Sequence, residues 1–236
     1  MLHHRYFCLN AIAMILVVAA TAFELKAFTK AVQAGPSLPV QQLVCGIGPV
    51  EAALQLSVFL SQAHPLPTAV LNIGIAGAYH RQGQAAALLD ICLAEYEELG
   101  DLGICQTKRI TPLQVPQCKI PDSFALDAPL LLRMQRRLDI AGIAHMSGRF
   151  ITVGCVSGDR ARGELLLDRY PDALCENMEG AALARVCAYF ALPFAEMRCI
   201  SNLVDDPANQ DWRLQEACTR CGRIAALLFQ ESSNHD

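Results

Sequence analysis

The chain has 236 residues, 53% hydrophobic and 18% charged, with a formal net charge of −4. Such a length suits one fairly large domain with a sizeable core, and the composition excludes intrinsic disorder. Arg133, Arg136 and Arg137 fall at helical spacing and read as a solvated helix face, so nothing supports nucleic-acid binding, and no apolar run is long enough to span a membrane.

Residues Met1–Ala22 admit two readings. His3, His4 and Arg5, an apolar run and Ala20-Thr-Ala22 together resemble a secretory signal with its cleavage site. Alternatively, Ile15–Ala20 is a buried first strand, Met14 is the start, and residues 1–13 are an N-terminal extension to a single domain over 14–236. We take the second reading, because cleavage after Ala22 would remove the strand that the rest of the pattern needs. A helix follows over Phe23–Gln33, ended by Gly35-Pro36, then a strand over Gln42–Cys45 and the turn Gly46-Ile-Gly48. Pro49 opens a helix to Ala63, at a position where its missing N–H costs nothing. Strands are expected over Ala69–Ile75 and Leu89–Ala94, with the acidic stretch Glu95–Glu98 leading into a turn at Gly100-Asp101. Leu113–Pro121, bounded by prolines, reads as a loop. Thereafter come a helix (Asp127–Ile140), a strand (Phe150–Val156), a helix N-capped by Asp159 (to Tyr170), a short strand (Leu174–Asn177), an alanine-rich helix (Glu179–Phe190), a strand (Phe194–Ile200) and a closing helix (Trp212–Gln230). This alternation predicts an α/β domain of three layers with a mostly parallel sheet.

Eleven cysteines are scattered along the chain, and Cys45, Cys92, Cys155, Cys187 and Cys199 sit inside apolar runs, where a thiol acts as a small hydrophobe. That usage points to a reducing, cytoplasmic compartment. Cys218-Thr-Arg-Cys221 is a lone C-x-x-C without a second pair or a nearby His, too few ligands for zinc. No metal and no organic cofactor is expected.

Open α/β sheets bind ligands at the carboxyl ends of their strands. The distinctive residues there are Ala20-Thr-Ala-Phe-Glu24, Gly46-Ile-Gly48, Asn72-Ile-Gly-Ile-Ala-Gly77, Glu176-Asn-Met-Glu179 and Arg198-Cys-Ile-Ser-Asn202. Each has a plain structural explanation as well. Glu24 could be a solvated helix residue, Glu179 could serve only the dipole of the helix it begins, and Gly74 and Gly77 could mark a loop of positive φ. A dinucleotide fingerprint is absent, since position 51 is Glu51.

Taken together, Asn72–Gly77, Val156-Ser-Gly-Asp159, Glu176-Asn-Met-Glu-Gly-Ala-Ala182 and Arg198–Asn202 resemble the nucleosidase branch of the purine nucleoside phosphorylase superfamily, in order and spacing, from Met14 to the end. The resemblance implies a three-layer α/β/α sandwich around a mixed, mostly parallel sheet, a homodimer or larger assembly, and a small-molecule nucleoside as substrate. It implies that Glu24 activates the attacking water, Glu179 bonds the ribose hydroxyls, Met178 packs on the ribose, Gly77 lines the sugar pocket and Asn202 contacts the purine at N7 and its 6-substituent. Val156, Asn177 and Ser201 are expected to line the substrate site. The methylthioadenosine nucleosidases carry Asp where this chain has Asn202. An amide can donate to a 6-oxo group, which points to a hypoxanthine-type base. The futalosine hydrolases, which release hypoxanthine in a menaquinone pathway, are similar in the 176–182 and 200–202 segments and in Trp212. Arg160 and Arg162 stand where the methylthioadenosine enzymes have apolar residues and are candidates for the benzoate carboxylate of futalosine. A phosphorylase would place cations on phosphate, but the Gly46–Val50 and Gly74–Ala78 segments have none and Arg81 is the nearest. Water is the expected nucleophile.

Overall fold

Five residues, Ile-Leu-Val-Val-Ala, start the sheet as β1 (Ile15–Ala19), with all but the first fully buried. The computed structural model describes residues 14–34, 39–80, 85–209 and 211–230, so the expected extension over 1–13, the Gly35-Pro36 stop and Arg81 lie outside the described residues. After β1 come α1 (Ala22–Gln33), β2 (Val40–Val44), α2 (Pro49–Gln62), β3 (Ala69–Ala78), β4 (Ile91–Leu99), a small hairpin β5 (Ile104–Gln106) and β6 (Arg109–Thr111), and β7 (Ser123–Ala125). The second half contains α3 (Ala128–Ile140), β8 (His145–Thr152), α4 (Arg160–Arg169), β9 (Ala173–Asn177), α5 (Gly180–Tyr189), β10 (Phe194–Leu203) and α6 (Leu214–Leu227).

The sheet is mixed and mostly parallel, and helices cover both faces, as expected. Pairings β1–β2, β1–β3, β3–β10, β4–β8 and β8–β9 are parallel, whereas β10–β4, β3–β9 and β4–β7 are antiparallel. The strands β3, β10, β4, β8 and β9 pair in a closed circuit, from which β1 and β2 extend. Residues of α1, α3 and α6 pack with Leu71, Ile73 and Met197 in one core, while α2 and α5 pack with Leu16, Val18 and Val70 in another. All five circuit strands share a third core of mainly small side chains, including Ala76, Ala94, Cys92 and Cys175. Small residues suit the limited space that a closed ring of strands leaves.

Three expectations are corrected. Glu95–Glu98 does not lead out of a strand. It is the second half of β4, where a register irregularity between Ala94 and Tyr96 turns Glu97 and Glu98 inward. A bulge flips the side-chain alternation, which period-2 reading of an acidic run cannot see. The strand expected at Phe150–Val156 runs over His145–Thr152 instead, leaving 153–159 as a loop that reaches the site. The strand expected over Ala69–Ile75 continues to Ala78, so Gly77 as well as Gly74 lies inside β3 and the alternative of a loop of positive φ falls.

Candidate active site

A cavity of about 340 Å³ opens where β1, β3, β9 and β10 end. It brings together Glu24, Gly77, Val156, Asn177, Met178, Glu179, Ser201 and Asn202, but not the candidates Arg160 and Arg162. Phe23, Ile47, Trp212 and Leu214 add an apolar rim.

Glu24 reaches this cavity because it is the third residue of α1. The segment Thr21-Ala-Phe-Glu24 is a capping box: Thr21 Oγ1 accepts from Glu24 N at 3.2 Å, and Glu24 Oε2 accepts from Thr21 N and Oγ1, each at 3.0 Å. Its other oxygen, Oε1, accepts from Ile75 N at 3.2 Å. The side chain is therefore pinned to β3 and buried, not solvated. Burial pushes its carboxyl above the usual carboxylate range, Arg198 opposes that rise, and Glu179 adds to it.

Glu179 precedes α5 in an unusual way, since its side chain makes no bond to its own helix. Asn177 does the capping, with Oδ1 accepting from Glu179 N at 2.9 Å and Gly180 N at 2.7 Å. This frees the Glu179 carboxylate to turn into the cavity, where Oε1 accepts from Gly48 N at 3.1 Å and Oε2 faces Arg198 Nη2 at 3.4 Å. Gly48 has φ of 91°, a conformation that favours glycine, and the turn aims its N–H at Glu179.

Arg198 joins the two carboxylates. Its guanidinium is 1% exposed and donates from Nε to Glu196 Oε1 at 2.7 Å, from Nη1 to Ile75 O at 3.3 Å and from Nη2 to Asn177 Oδ1 at 3.3 Å. Burial works against its charge, but Glu196, Glu179 and Glu24 outweigh burial and hold it protonated. The glycine at position 74 makes room for this arrangement. A Cβ there would stand 2.6 Å from both Arg198 Nη1 and Glu24 Oε1.

At the other end, a register irregularity in β10 between Ile200 and Asn202 sets Asn202 beside Gly77. A Cβ on Gly77 would come within 3.1 Å of Asn202 Nδ2. Ser201 Oγ lies 2.9 Å from Asn202 Oδ1 and 3.2 Å from Ala76 O. Nearby, Glu176 accepts from Ser157 N at 2.7 Å, Ser157 Oγ at 2.6 Å and Tyr79 OH at 2.9 Å. Val156 stands at the cavity edge, half exposed.

The expectation for Arg160 and Arg162 fails. Arg160 pairs with Glu164 at 3.1 Å and Arg162 with Asp101 at 3.7 Å, and neither lines the cavity. Helical spacing explains the first, because Glu164 is four residues on. Sequence reading marked Arg198 as part of a strand-end segment without giving it a role, and it missed Glu196 and Glu97. Glu196 and Arg198 do leave a signal: two charges at a spacing of two in the otherwise apolar strand Phe194-Ala-Glu-Met-Arg-Cys-Ile must share one face. The Thr21–Glu24 capping box is equally legible.

The family model of the phosphorylase superfamily matches residues 15–230. A futalosine hydrolase of Acidothermus cellulolyticus is 30% identical over 186 residues, covering 79% of this chain and 73% of that protein. A 5′-methylthioadenosine/S-adenosylhomocysteine nucleosidase of a Marinomonas species is 28% identical, covering 80% of this chain and 78% of that one. Among solved structures, the corresponding nucleosidase of Neisseria meningitidis, in complex with methylthio-immucillin-A, superposes with a TM-score of 0.76 at 20% identity, covering 92% of this chain and 98% of that chain. The chain belongs to the phosphorylase superfamily and, within it, to the nucleosidase branch. It is an enzyme of the purine nucleosidase type, similar both to futalosine hydrolases and to methylthioadenosine nucleosidases. Among the described residues, no helix is long and apolar enough to cross a membrane.

Proposed function

We propose that the enzyme hydrolyses the N-glycosidic bond of futalosine, releasing hypoxanthine and dehypoxanthine futalosine for menaquinone biosynthesis. The observation that carries this reading is the amide of Asn202. With Oδ1 turned to the Ser201 hydroxyl and one Nδ2 hydrogen given to Leu203 O at 3.5 Å, the second Nδ2 hydrogen is left to the base, and it is a donor. A donor suits the O6 and N7 acceptors of a 6-oxo purine, whereas a 6-amino group calls for an acceptor.

Cleavage of the C–N bond builds positive charge on the ribose and negative charge on the leaving base. Glu179, paired with Arg198, accepts from the ribose hydroxyls and stabilises the oxocarbenium-like sugar, as carboxylates do in glycoside hydrolysis. Glu24 takes a proton from the water that attacks the anomeric carbon. Asn202 Nδ2 stabilises the charge on the departing purine. Met178 packs on the ribose and Gly77 leaves space behind it, while Val156 and Ser201 line the base end. Asn177 enters through Glu179, which it holds in place. The same proposal takes residues 14–236 as one catalytic domain with 1–13 as an extension, acting as a homodimer or larger assembly in the cytoplasm.

One observation favours a second reading, a methylthioadenosine nucleosidase. The rim residues Phe23, Ile47, Trp212 and Leu214 are apolar and would suit an alkylthio group. Base release by the purified protein in phosphate-free buffer, followed by chromatography, separates the two. The expected result is hypoxanthine from futalosine and none from inosine. Adenine from methylthioadenosine, with futalosine untouched, would overturn the assignment made from Asn202.

A further inference from the structure

Behind Arg198, two more carboxyl groups are buried, and the reaction uses neither directly. Glu97 on β4 is 0% exposed and Glu196 on β10 is 1% exposed. With Glu24 from α1 and Glu179 from the start of α5, four carboxyl groups face one guanidinium, and the Cys45 and Cys221 thiols, pushed up to about 12 by burial, are neutral neighbours. Four anions on one cation, two of them fully buried as Glu97 and Glu196 are, would leave three negative charges uncompensated, which the interior does not tolerate. At least one carboxyl group must hold a proton.

The hydrogen bonds identify which. Glu196 Oε1 accepts from Arg198 Nε at 2.7 Å and from Asn72 Nδ2 at 3.1 Å. Among the described residues, no N–H or alcohol reaches Glu196 Oε2. The group alongside that oxygen is Glu97. A Cβ added at Gly180 would collide with both Glu97 Oε1 and Glu196 Oε2, so these two oxygens stand side by side, with no other donor between them among the described residues. Glu97 Oε1 accepts from Asn177 Nδ2 at 2.6 Å, and Oε2 accepts from Thr152 Oγ1 at 2.7 Å. Asn177 cannot reverse its amide, because its Oδ1 is fixed by the N–H groups of Glu179 and Gly180. A proton on either oxygen would join the two, but Arg198 Nε on Glu196 Oε1 favours ionised Glu196, so the proton falls to Glu97 Oε1, which then accepts from Asn177 and donates to Glu196 at once. A carboxylic O–H does both, while an amide N–H₂ donates only and an amide oxygen accepts only.

We propose that Glu97 and Glu196 share a single proton and act as a positioning pair: Glu97 keeps the proton and donates it to Glu196, and ionised Glu196 fixes Arg198 between Glu24 and Glu179. This rests on the hydrolase reading, because it sets the ionisation of the residue that activates water. Burial and the Glu196 charge both hold the Glu97 carboxyl well above its ordinary range, in keeping with the assignment. Glu97 also ties Asn177, and through it Glu179, to the same proton.

The test has two arms. Infrared spectra of the wild-type protein between about pH 5 and about pH 9 should contain the carbonyl stretch of an un-ionised carboxylic acid that persists at the alkaline end, and Glu97→Gln should remove it. A wild-type spectrum without that band at about pH 8 overturns the proposal, and this arm needs neither a substrate nor a variant that folds. The second arm is the pH profile of kcat/KM for base release. Glu196→Gln removes a negative charge near Glu24, so its acidic limb should move to lower pH, with kcat/KM at the optimum down about tenfold to a hundredfold. Glu97→Gln removes no charge, so its limb should stay where the wild type has it while the rate falls. A limb that moves in Glu97→Gln as it does in Glu196→Gln, or one that moves in neither, overturns the sharing of one proton. A wild-type protein that releases no base from any purine nucleoside would instead sink the hydrolase reading, and the infrared arm would still decide the protonation of the pair.

Discussion

Glu176 and Glu24 are both buried carboxyl groups on the wall of one cavity, yet they are held by different physics. Glu176 is held by neutral donors, two from Ser157 and one from Tyr79, at 2.6 to 2.9 Å. Burial raises its carboxyl, and those donors pull it back, with the Arg162 charge adding a smaller pull in the same direction. Glu24 also has three hydrogen-bond donors, but its ionisation depends in addition on full charges, Arg198 lowering it and Glu179 raising it. Neutral dipoles give Glu176 a fixed place and little influence from the rest of the site. Neighbouring charges make the proton affinity of Glu24 responsive to whatever Arg198 and Glu179 are doing, which is what a group that accepts a proton during the reaction requires. One region fixes structure, and the other adjusts chemistry.

The largest expected effect separates the two most directly. Glu24→Gln keeps the capping box, since Gln can also accept from Thr21 N, but an amide cannot take a proton from water. We expect kcat/KM for base release to fall by about 10²–10⁴-fold, together with a loss of about 1–3 kcal/mol of stability because Ile75 N then faces the amide N–H₂. In the wild type, Glu24 works only when ionised and its carboxyl lies above the ordinary range. Activity should therefore fall as the pH drops through that raised value, and the acidic limb should lie above the usual carboxylate range. A limb near the ordinary Glu value would mean that Glu24 is not the base. Arg198→Met tests the charged region from its centre. It leaves Glu179 and Glu196 buried without their cation, which should cost about 3–5 kcal/mol of stability in chemical denaturation. Arg198→Lys restores the charge but not the fork that reaches Glu196, Glu179, Asn177 and Ile75 O, so it should recover more stability than activity.

A third change moves to the base end. Asn202→Asp replaces the donor left to the purine by an acceptor, with the Ser201 contact retained. The preference for a 6-oxo over a 6-amino base, read by competition between futalosine and methylthioadenosine, should shift by about tenfold to a hundredfold toward the amino base. No shift would mean that the backbone around Ala76 and Gly77, and not this side chain, reads the base.

The difference between the two regions also accounts for what the sequence disclosed. The buried apolar strands and the turn glycines 46 and 48 announce themselves through runs and spacing, and β1, β2 and β9 match the expected bounds closely, whereas β3, β4 and β10 run on past their expected ends and β8 starts earlier. Residues at strand ends were found because chemistry at those ends is expected. The charged support beneath them was not. Glu97 lies in an acidic stretch that reads as solvated until a bulge between Ala94 and Tyr96 turns it inward, and no local pattern marks that bulge. Nor could the chain order reveal that β9 pairs with β3 and closes the circuit, since the contact rests on Gly77, Ala78, Cys175 and Glu176 alone, about a hundred positions apart. What depends on one element was legible, and what depends on pairs of distant elements was not.

The smallest expected effect is the sharpest check on the neutral region. Glu176→Gln is nearly isosteric, but it presents an amide N–H₂ to a site built from donors. One of Ser157 N, Ser157 Oγ and Tyr79 OH must then lose its acceptor. Tyr79 is 1% exposed, so water cannot readily replace the lost bond. The expected cost is about 1–3 kcal/mol of stability, measured by urea denaturation. The acidic limb of the pH profile should stay in place, because no charge that faces Glu24 has changed. If that limb moves with Glu176→Gln as it does with changes around Arg198, the neutral cage is part of the same charged network, and the division between a region that fixes structure and one that adjusts chemistry fails. A loss of stability without movement of the limb would keep the division, and it would locate the control of Glu24 ionisation in Arg198 and its carboxylates.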